Sequence, residues 1–184
     1  MPVFISYRHM DRPQAMALNA QLMQANIKTY LDVLDPESQT TDDITGVITR
    51  NIQAQATVTL PPGWSYATAL DTERREGDTV VFKPISYDHL VDSPLFAGEH
   101  HQRIDLDPGA KAPVHLNVFA DDAKSLKPTD AQLKAHRALV QQADKLYGAR
   151  HYDHYEFLLA LTDRLGGIGL EHHRSSENSA DPGY

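Results

Sequence analysis

The sequence predicts a mixed α+β fold, in which an N-terminal βαβα unit of a parallel sheet is followed by antiparallel strands, a helix and a terminal strand pair. Three observations support this fold class. Strand and helix patterns alternate over residues 1–53. Short β-rich runs, separated by Pro and Gly turns, then continue to about residue 120. One amphipathic helix and an apolar strand follow. The change of pattern predicts two domains, residues 1–53 and residues 54–184.

The first domain begins with a short apolar run at residues 3–7, which is typical of a buried strand. Pro13 suits a first helical position, and apolar residues recur at helical spacing from there to residue 25. A second strand is predicted at residues 27–34. Residues 41–43 supply N-cap chemistry for a second helix, which is expected to extend to about residue 52.

Polar residues follow the first strand, at the edge where parallel sheets bind their ligands. They form a candidate nucleotide-binding site that consists of Ser6, Tyr7, Arg8, His9 and Asp11. The segments 3–8 and 29–32 resemble the start of a TIR domain, especially in bacterial TIR-like proteins of antiphage defence. Some members of that family cleave or cyclise NAD, and others only bind partners. The catalytic glutamate that the resemblance implies, in a Ser-x-Trp context, has no counterpart here, since the only tryptophan follows Pro-Pro-Gly.

In the middle of the chain, alternation and turn residues predict five strands, at residues 56–60, 65–70, 78–82, 100–106 and 114–119. The second and third of these are expected to form a hairpin across the charged residues 72–77. Residues 85–98 show no regular pattern and are expected to be irregular. This middle portion is therefore predicted to be antiparallel β structure.

The last third contains a long helix and a glycine-rich stretch. Thr129 is an N-cap candidate and Gly148 ends the helical pattern. An apolar strand follows at residues 157–161. The stretch 166–178 then combines three glycines with two histidines, two glutamates and an arginine, and glycine permits close approach of a ligand or positive φ. We expect a short edge strand at residues 168–172, followed by a polar loop.

Several separated motifs resemble, in the same order, the glycyl aminopeptidase family of zinc metallopeptidases. They are residues 58–64, 86–94, 146–148, 152–161 and 166–178. The resemblance covers residues 54–184 and implies an N-terminal β domain before a thermolysin-like catalytic domain. It also implies that a G-x-E-H-type strand lines the substrate cleft, here Gly169, Leu170, Glu171 and His172. Glu171 would hold the free α-amino group of the substrate, and the neighbouring backbone would pair with the peptide.

The resemblance implies zinc, whose ligands in this class come from H-E-x-x-H on a helix. No such pattern occurs in the sequence. Glu99-His100-His101 and Glu171-His172-His173 have the residues in another order. We therefore assign no metal ligand, no cofactor and no catalytic residue.

Composition narrows the classes of partner. The net charge of −8, without clustered Lys or Arg, makes nucleic acid an unsuitable partner. The absence of cysteine excludes disulfides, thiolate metal sites and a cysteine nucleophile. No apolar run approaches a membrane span, so a cytoplasmic protein is expected. The oligomeric state is left open.

Three hypotheses about function follow, and the two partial resemblances suggest a composite of two families. The first is a catalytically incompetent aminopeptidase-like protein that retains a peptide- or amine-binding strand. The second is a TIR-like signalling or antiphage-defence module that binds a nucleotide or a partner. The third is a non-enzymatic protein that acts by contact with another protein.

Overall fold

The computed structural model describes residues 3–5, 29–31 and 52–182, and the chain divides into two compact units, Met1–Ile48 and Thr49–Tyr184. In the first unit, Val3–Ile5 (β1) and Thr29–Leu31 (β2) pair in parallel. Both strands and their direction agree with the sequence prediction. The first predicted helix and nearly all of the second lie outside the described residues, so the βαβα unit as a whole is not confirmed.

The second unit begins with small antiparallel sheets. Their strands are Gln53–Ala54 (β3), Thr57–Thr59 (β4), Ser65–Thr68 (β5), Thr72–Glu76 (β6), Thr79–Phe82 (β7), Ile85–Ser86 (β8) and Leu95–Gly98 (β9). β3 pairs with β8, β5 pairs with β9, and the order of the third sheet is β4-β7-β6. Leu60, Leu70, Val80 and Phe82 form the buried cluster of this part.

The predicted hairpin between residues 65–70 and 78–82 is wrong. β7 pairs instead with β6, across a turn at residues 77–78 in which Gly77 has φ +61°. β5 pairs with β9, in the segment that was expected to be irregular. All residues of β6 are exposed, so charged side chains are accommodated on both of its faces. Charge alone therefore did not distinguish this exposed strand from a loop.

A short helix, Tyr87–Val91 (α1), connects β8 to β9. The Ser86 side chain caps its first turn by accepting a hydrogen bond from the His89 backbone N–H, and Asp92 is the C-cap residue. This helix also lies in the segment that was expected to be irregular. Its brevity explains why no helical periodicity marks it in the sequence.

A five-stranded mixed sheet forms the rest of the second unit. Its strands are His101–Asp105 (β10), Val114–Ala120 (β11), Tyr155–Leu161 (β12), Ile168–Glu171 (β13) and Ser175–Ala180 (β14), in the order β10-β11-β12-β14-β13. The two pairs that involve β12 are parallel, and the two outer pairs are antiparallel. A 3-10 helix, Ala123–Leu126, follows β11.

The helix Asp130–Tyr147 (α2) connects β11 to β12 and confirms the predicted helix. The Thr129 side chain accepts a hydrogen bond from the Gln132 backbone N–H, and the Gln132 side chain returns to Thr129. Gly148 ends the helix in the left-handed conformation, with φ +68°. Val140 packs into a buried cluster with Leu106, Val114, Leu116 and Val118. Within the described residues, none of the helices has the length and apolar character needed to cross a membrane.

The polar loop predicted after the edge strand is wrong, because residues 175–180 form β14 inside the sheet. β14 lies between β12 and β13, so the predicted terminal strand pair has a third strand within it. Ser175, Ser176 and Ser179 are buried. The Ser179 hydroxyl donates to the Gly166 carbonyl at 2.6 Å and accepts from the Ile168 N–H at 3.1 Å. The Ser179 hydroxyl is therefore satisfied inside the sheet, as buried polar groups generally are.

Candidate functional site

β13 is the edge strand of the five-stranded sheet, as the sequence predicts. One side of its backbone pairs with β14, from Ile168 opposite Ser179 to Glu171 opposite Ser176. No other described strand pairs with its opposite side. All four residues of β13 are exposed. The strand therefore presents a row of backbone N–H and C=O groups to which a further strand can bind.

The two faces of β13 differ in chemistry. Gly169 and Glu171 lie on one face, and Ile168 and Leu170 lie on the other, since side chains alternate along a strand. Ile168 is 43% exposed and Leu170 is 47% exposed. The edge thus offers apolar contacts on one face and a carboxylate on the other.

The glycines around β13 leave space rather than make turns. The positive φ angles of the second unit's described glycines occur at other positions, which do not include Gly166, Gly167 or Gly169. A Cβ atom added at Gly166 or Gly167 would meet no heavy atom within 4 Å, and one at Gly169 would meet only Asn178 Oδ1 at 3.9 Å. Packing therefore does not require glycine here, and its visible effect is an uncrowded backbone.

Glu171 is the last residue of β13 and is exposed. Its Cα is opposite that of Ser176, which in turn is opposite Phe157 of β12, so these side chains share one face of the sheet. Glu171 makes no hydrogen bond or ion pair with another of the described residues. Its carboxylate is thus available to a ligand at the edge.

His172, the next predicted binding residue, is turned toward the protein and is only 11% exposed. Its Nδ1 lies 3.0 Å from Asp92 Oδ1, and its Nε2 lies 3.9 Å from Glu177 Oε1. The backbone N–H of His173 donates to Asp92 Oδ2 at 2.7 Å. The His173 ring also stacks on His89 of α1, with ring centroids 4.8 Å apart. The β13–β14 turn is therefore attached to α1.

These contacts favour the ionised form of Asp92. Burial acts to raise the pKa of Asp92, but the hydrogen bonds from the His173 backbone and the His172 side chain outweigh it, and the pKa lies below its ordinary value. A carboxylate at this position can accept both bonds at once. It therefore holds the turn throughout the neutral range.

Glu156, on the first part of β12, is a buried carboxylate that the sequence analysis did not single out. Arg103 donates to both of its oxygens, at 2.8 and 2.9 Å, and the Asn117 amide donates to Oε2 at 2.7 Å. Nδ1 atoms of His115 and His154 each lie 3.3 Å from Oε1. The only signal in the sequence is one glutamate at an inward position of an otherwise apolar strand.

Comparison with known proteins relates part of this unit to peptidases. Residues 44–99 match the model of the Peptidase M61 N-terminal domain. That segment contains α1 and Asp92 and ends before β10. No curated protein matches the chain. The match and the structural similarity described next support the peptidase-like segment, whereas neither supports the TIR-like resemblance or a composite origin.

Among solved structures, the fold is similar to that of an aminopeptidase N family protein from Idiomarina loihiensis. The TM-score is 0.57 and the sequence identity is 19%, over 73% of this chain and 23% of that protein. This chain therefore spans less than a quarter of the length of its structural neighbour. At this identity the similarity shows a shared fold.

The zinc that the family resemblance implies does not fit the residues seen here. Among the described residues, no group of three or more His, Asp or Glu side chains is arranged to hold a metal ion. His172 uses Nδ1 toward Asp92, and the rings of His89 and His173 stack face to face rather than converge on one point. We therefore derive no step through a metal, and the absence of a cofactor stays a prediction.

The other candidate site cannot be placed. Its residues lie outside the described part of the chain, and they are Ser6, Tyr7, Arg8, His9 and Asp11. Nucleotide binding by residues 1–53 stays a prediction.

Proposed function

We propose that this chain binds the N-terminal end of a peptide along β13, with the free α-amino group at Glu171. The observation that carries the proposal is the exposed edge of β13, with which no further strand of the described residues pairs. An extended peptide adds to such an edge through main-chain hydrogen bonds, and a carboxylate beside an ammonium group makes a charge-assisted bond. The uncrowded backbone around Gly167 and Gly169 leaves room for that peptide.

The two edges of the same sheet support this choice. β10, the opposite edge, contains Arg103 and Asp105, and charged residues protect an edge strand from pairing with another chain. β13 has no lysine, arginine or proline. Its single charge, Glu171, lies at one end of the strand, where it selects an ammonium group without blocking the edge.

The proposal concerns binding and not hydrolysis. These 184 residues contain no H-E-x-x-H motif, which in zinc peptidases supplies both metal ligands and the general base. The match to the Peptidase M61 N-terminal domain ends at residue 99, before β13, so the proposal depends on the edge of β13 and on Glu171. Peptide recognition is the function that the site supports best.

Calorimetric titration with a glycyl peptide tests the proposal, with the N-acetylated form of the same peptide as comparison. We expect the free-amine peptide to bind and the acetylated peptide to bind much more weakly. Glu171→Gln should weaken binding of the free-amine peptide by about tenfold, which corresponds to about 1.4 kcal/mol.

Glu99→Gln is the matched control, because Glu99 is also an exposed glutamate and lies outside the β13 edge. It should bind both peptides as the unaltered chain does. Absence of binding to any free-amine peptide would refute the proposed function. Equal affinity for the free and acetylated peptides would refute the role of Glu171 in binding the α-amino group.

A further inference from the structure

The turn between β13 and β14 is hydrogen-bonded to a residue that is distant in the sequence. Asp92 is 80 positions from His172 and 81 from His173, and it contacts both. Within the turn itself, the His172 N–H donates to the Ser175 carbonyl at 2.8 Å. Asp92 therefore attaches a tight turn to the end of α1.

We propose that Asp92 is a positioning residue of the peptide site, which holds the β13–β14 turn and thereby sets the direction of Glu171. This inference rests on the proposed function. Glu171 immediately precedes the two residues that Asp92 binds. A change in the turn is thus passed to Glu171 through the single peptide bond that joins it to His172.

Packing alone cannot keep this end of β13 in place. None of the residues of β13 is buried, so the strand gains little from hydrophobic contacts. A cavity of about 670 Å³ lies beside the turn, lined by Asp88, His89, Val91, Asp92 and His173. The hydrogen bonds to Asp92, together with the stacking of His173 on His89, therefore restrain the turn.

The two ends of β13 have separate anchors. The Ser179 hydroxyl bonds to the backbone of Gly166 and Ile168 at the beginning of the strand. Asp92 acts at the other end, beside Glu171. Loss of the Asp92 anchor should therefore affect recognition of the amino group more than pairing of the peptide backbone.

The inference also gives a role to the segment that matches the Peptidase M61 N-terminal domain. Asp92 is part of that segment, whereas β13 is not. A segment that contributes no residue of the peptide edge would act on it through the Asp92 carboxylate, beside the stacking of His89 on His173.

The experiment compares the unaltered 184-residue chain with its Asp92→Ala and Asp92→Asn variants. Titration with the free-amine and acetylated peptides gives the ratio of their affinities for each protein. Amide hydrogen exchange follows the His173 N–H, and histidine NMR reports which ring nitrogen of His172 is protonated. Asp88→Asn is the matched control. Asp88 belongs to α1 and lines the same cavity as Asp92, but its carboxylate does not contact the turn.

We expect Asp92→Ala to weaken binding of the free-amine peptide by about tenfold, the size expected for loss of hydrogen bonds to a charged group. The acetylated peptide should be affected much less, and the His173 amide should exchange faster. Asp92→Asn retains one acceptor oxygen and should restore part of the discrimination, with a changed His172 NMR signature. If Asp92→Ala does not fold, the comparison of Asp92→Asn with the unaltered chain provides the test.

Two outcomes would count against the inference in different ways. If the unaltered chain binds the peptide, and both Asp92 variants bind it with the same affinity, the positioning role is refuted but the proposed function is not. If the unaltered chain binds no peptide, the proposed function is refuted and the positioning role with it. An equal loss of affinity for both peptides would reduce Asp92 to a residue needed only for stability.

Discussion

At the scale of single residues, Glu156 shows how a charge is accommodated inside this sheet. The residue is 2% exposed, and desolvation alone would favour its neutral form. Burial indeed acts to raise the pKa of Glu156, but contacts with His154, Arg103 and Asn117 outweigh it, so the pKa lies below its ordinary value. The Arg103 side chain is 45% exposed and stays partly hydrated. The network therefore pairs the buried carboxylate without burying its main partner.

Glu156 makes the stability of the protein depend on pH. In the unfolded chain its pKa returns to about the ordinary 4.5, so on acidification the unfolded state takes up the proton first. The contribution of Glu156 is complete above that value and is lost as the pH falls through the lower pKa of the folded state. Glu156→Gln should lower the free energy of unfolding at pH 7 by about 2 kcal/mol and reduce its decline in acid. Urea denaturation at several pH values measures both effects. Unchanged stability at pH 7 would show that the network contributes nothing.

At the scale of elements, the stability of α2 depends strongly on its capping residues, although the helix is 18 residues long. Val140 is its only buried residue within the described structure, so most of the helix gains little from the core. Thr129→Ala removes the N-cap and should lower the free energy of unfolding by about 1 kcal/mol. Thr129→Ser keeps a hydroxyl at the same position and should stay within about 0.5 kcal/mol of the unaltered protein. Thermal and urea denaturation provide the measurement. A loss of the same size in both variants would contradict the capping argument.

The same element shows which parts of the fold are predictable from sequence. α2 has its N-cap, its apolar spacing and its C-cap glycine within one continuous stretch, so local chemistry specifies it. The edge strand β13 is similarly marked by the glycines around it. β6 and β14 are not, because their residues are mostly polar or charged and form strands only through pairing, β6 with the adjacent β7 and β14 with β12. Whether glutamate and serine residues at these positions form strands depends on their tertiary surroundings and not on local propensity.

The candidate site likewise contains some residues that a local motif identifies and one contact that no local motif indicates. Glu171 is identified from a short motif, and the structure places it at an exposed sheet edge. His172 belongs to the same motif, but its ring contacts Asp92 and Glu177 within the protein. The link between Asp92 and the turn joins residues 80 positions apart, and no local pattern in one sequence indicates such a contact.

At the scale of the whole molecule, the peptidase-like unit has one continuous structure. Ala67 and Phe96, from β5 and β9, pack against Phe119 of β11 and Leu158 of β12. The small antiparallel sheets and the five-stranded sheet therefore share buried apolar contacts. A cut between residues 99 and 100 would expose this cluster and also remove the Asp92 anchor from the β13–β14 turn.

This continuity predicts how fragments should behave. Residues 49–184 contain both larger buried clusters, β13 and Asp92, so this fragment should fold, unfold cooperatively and bind the glycyl peptide with the affinity of the full chain. Residues 49–99 lack the partners of Ala67 and Phe96 and should not fold alone, although they contain most of the segment that matches the Peptidase M61 N-terminal domain. Circular dichroism, urea denaturation and peptide titration of both fragments test this. Cooperative unfolding of residues 49–99 would show that the shared cluster is dispensable. Loss of peptide binding in a folded 49–184 fragment would instead place part of the site in residues 1–48.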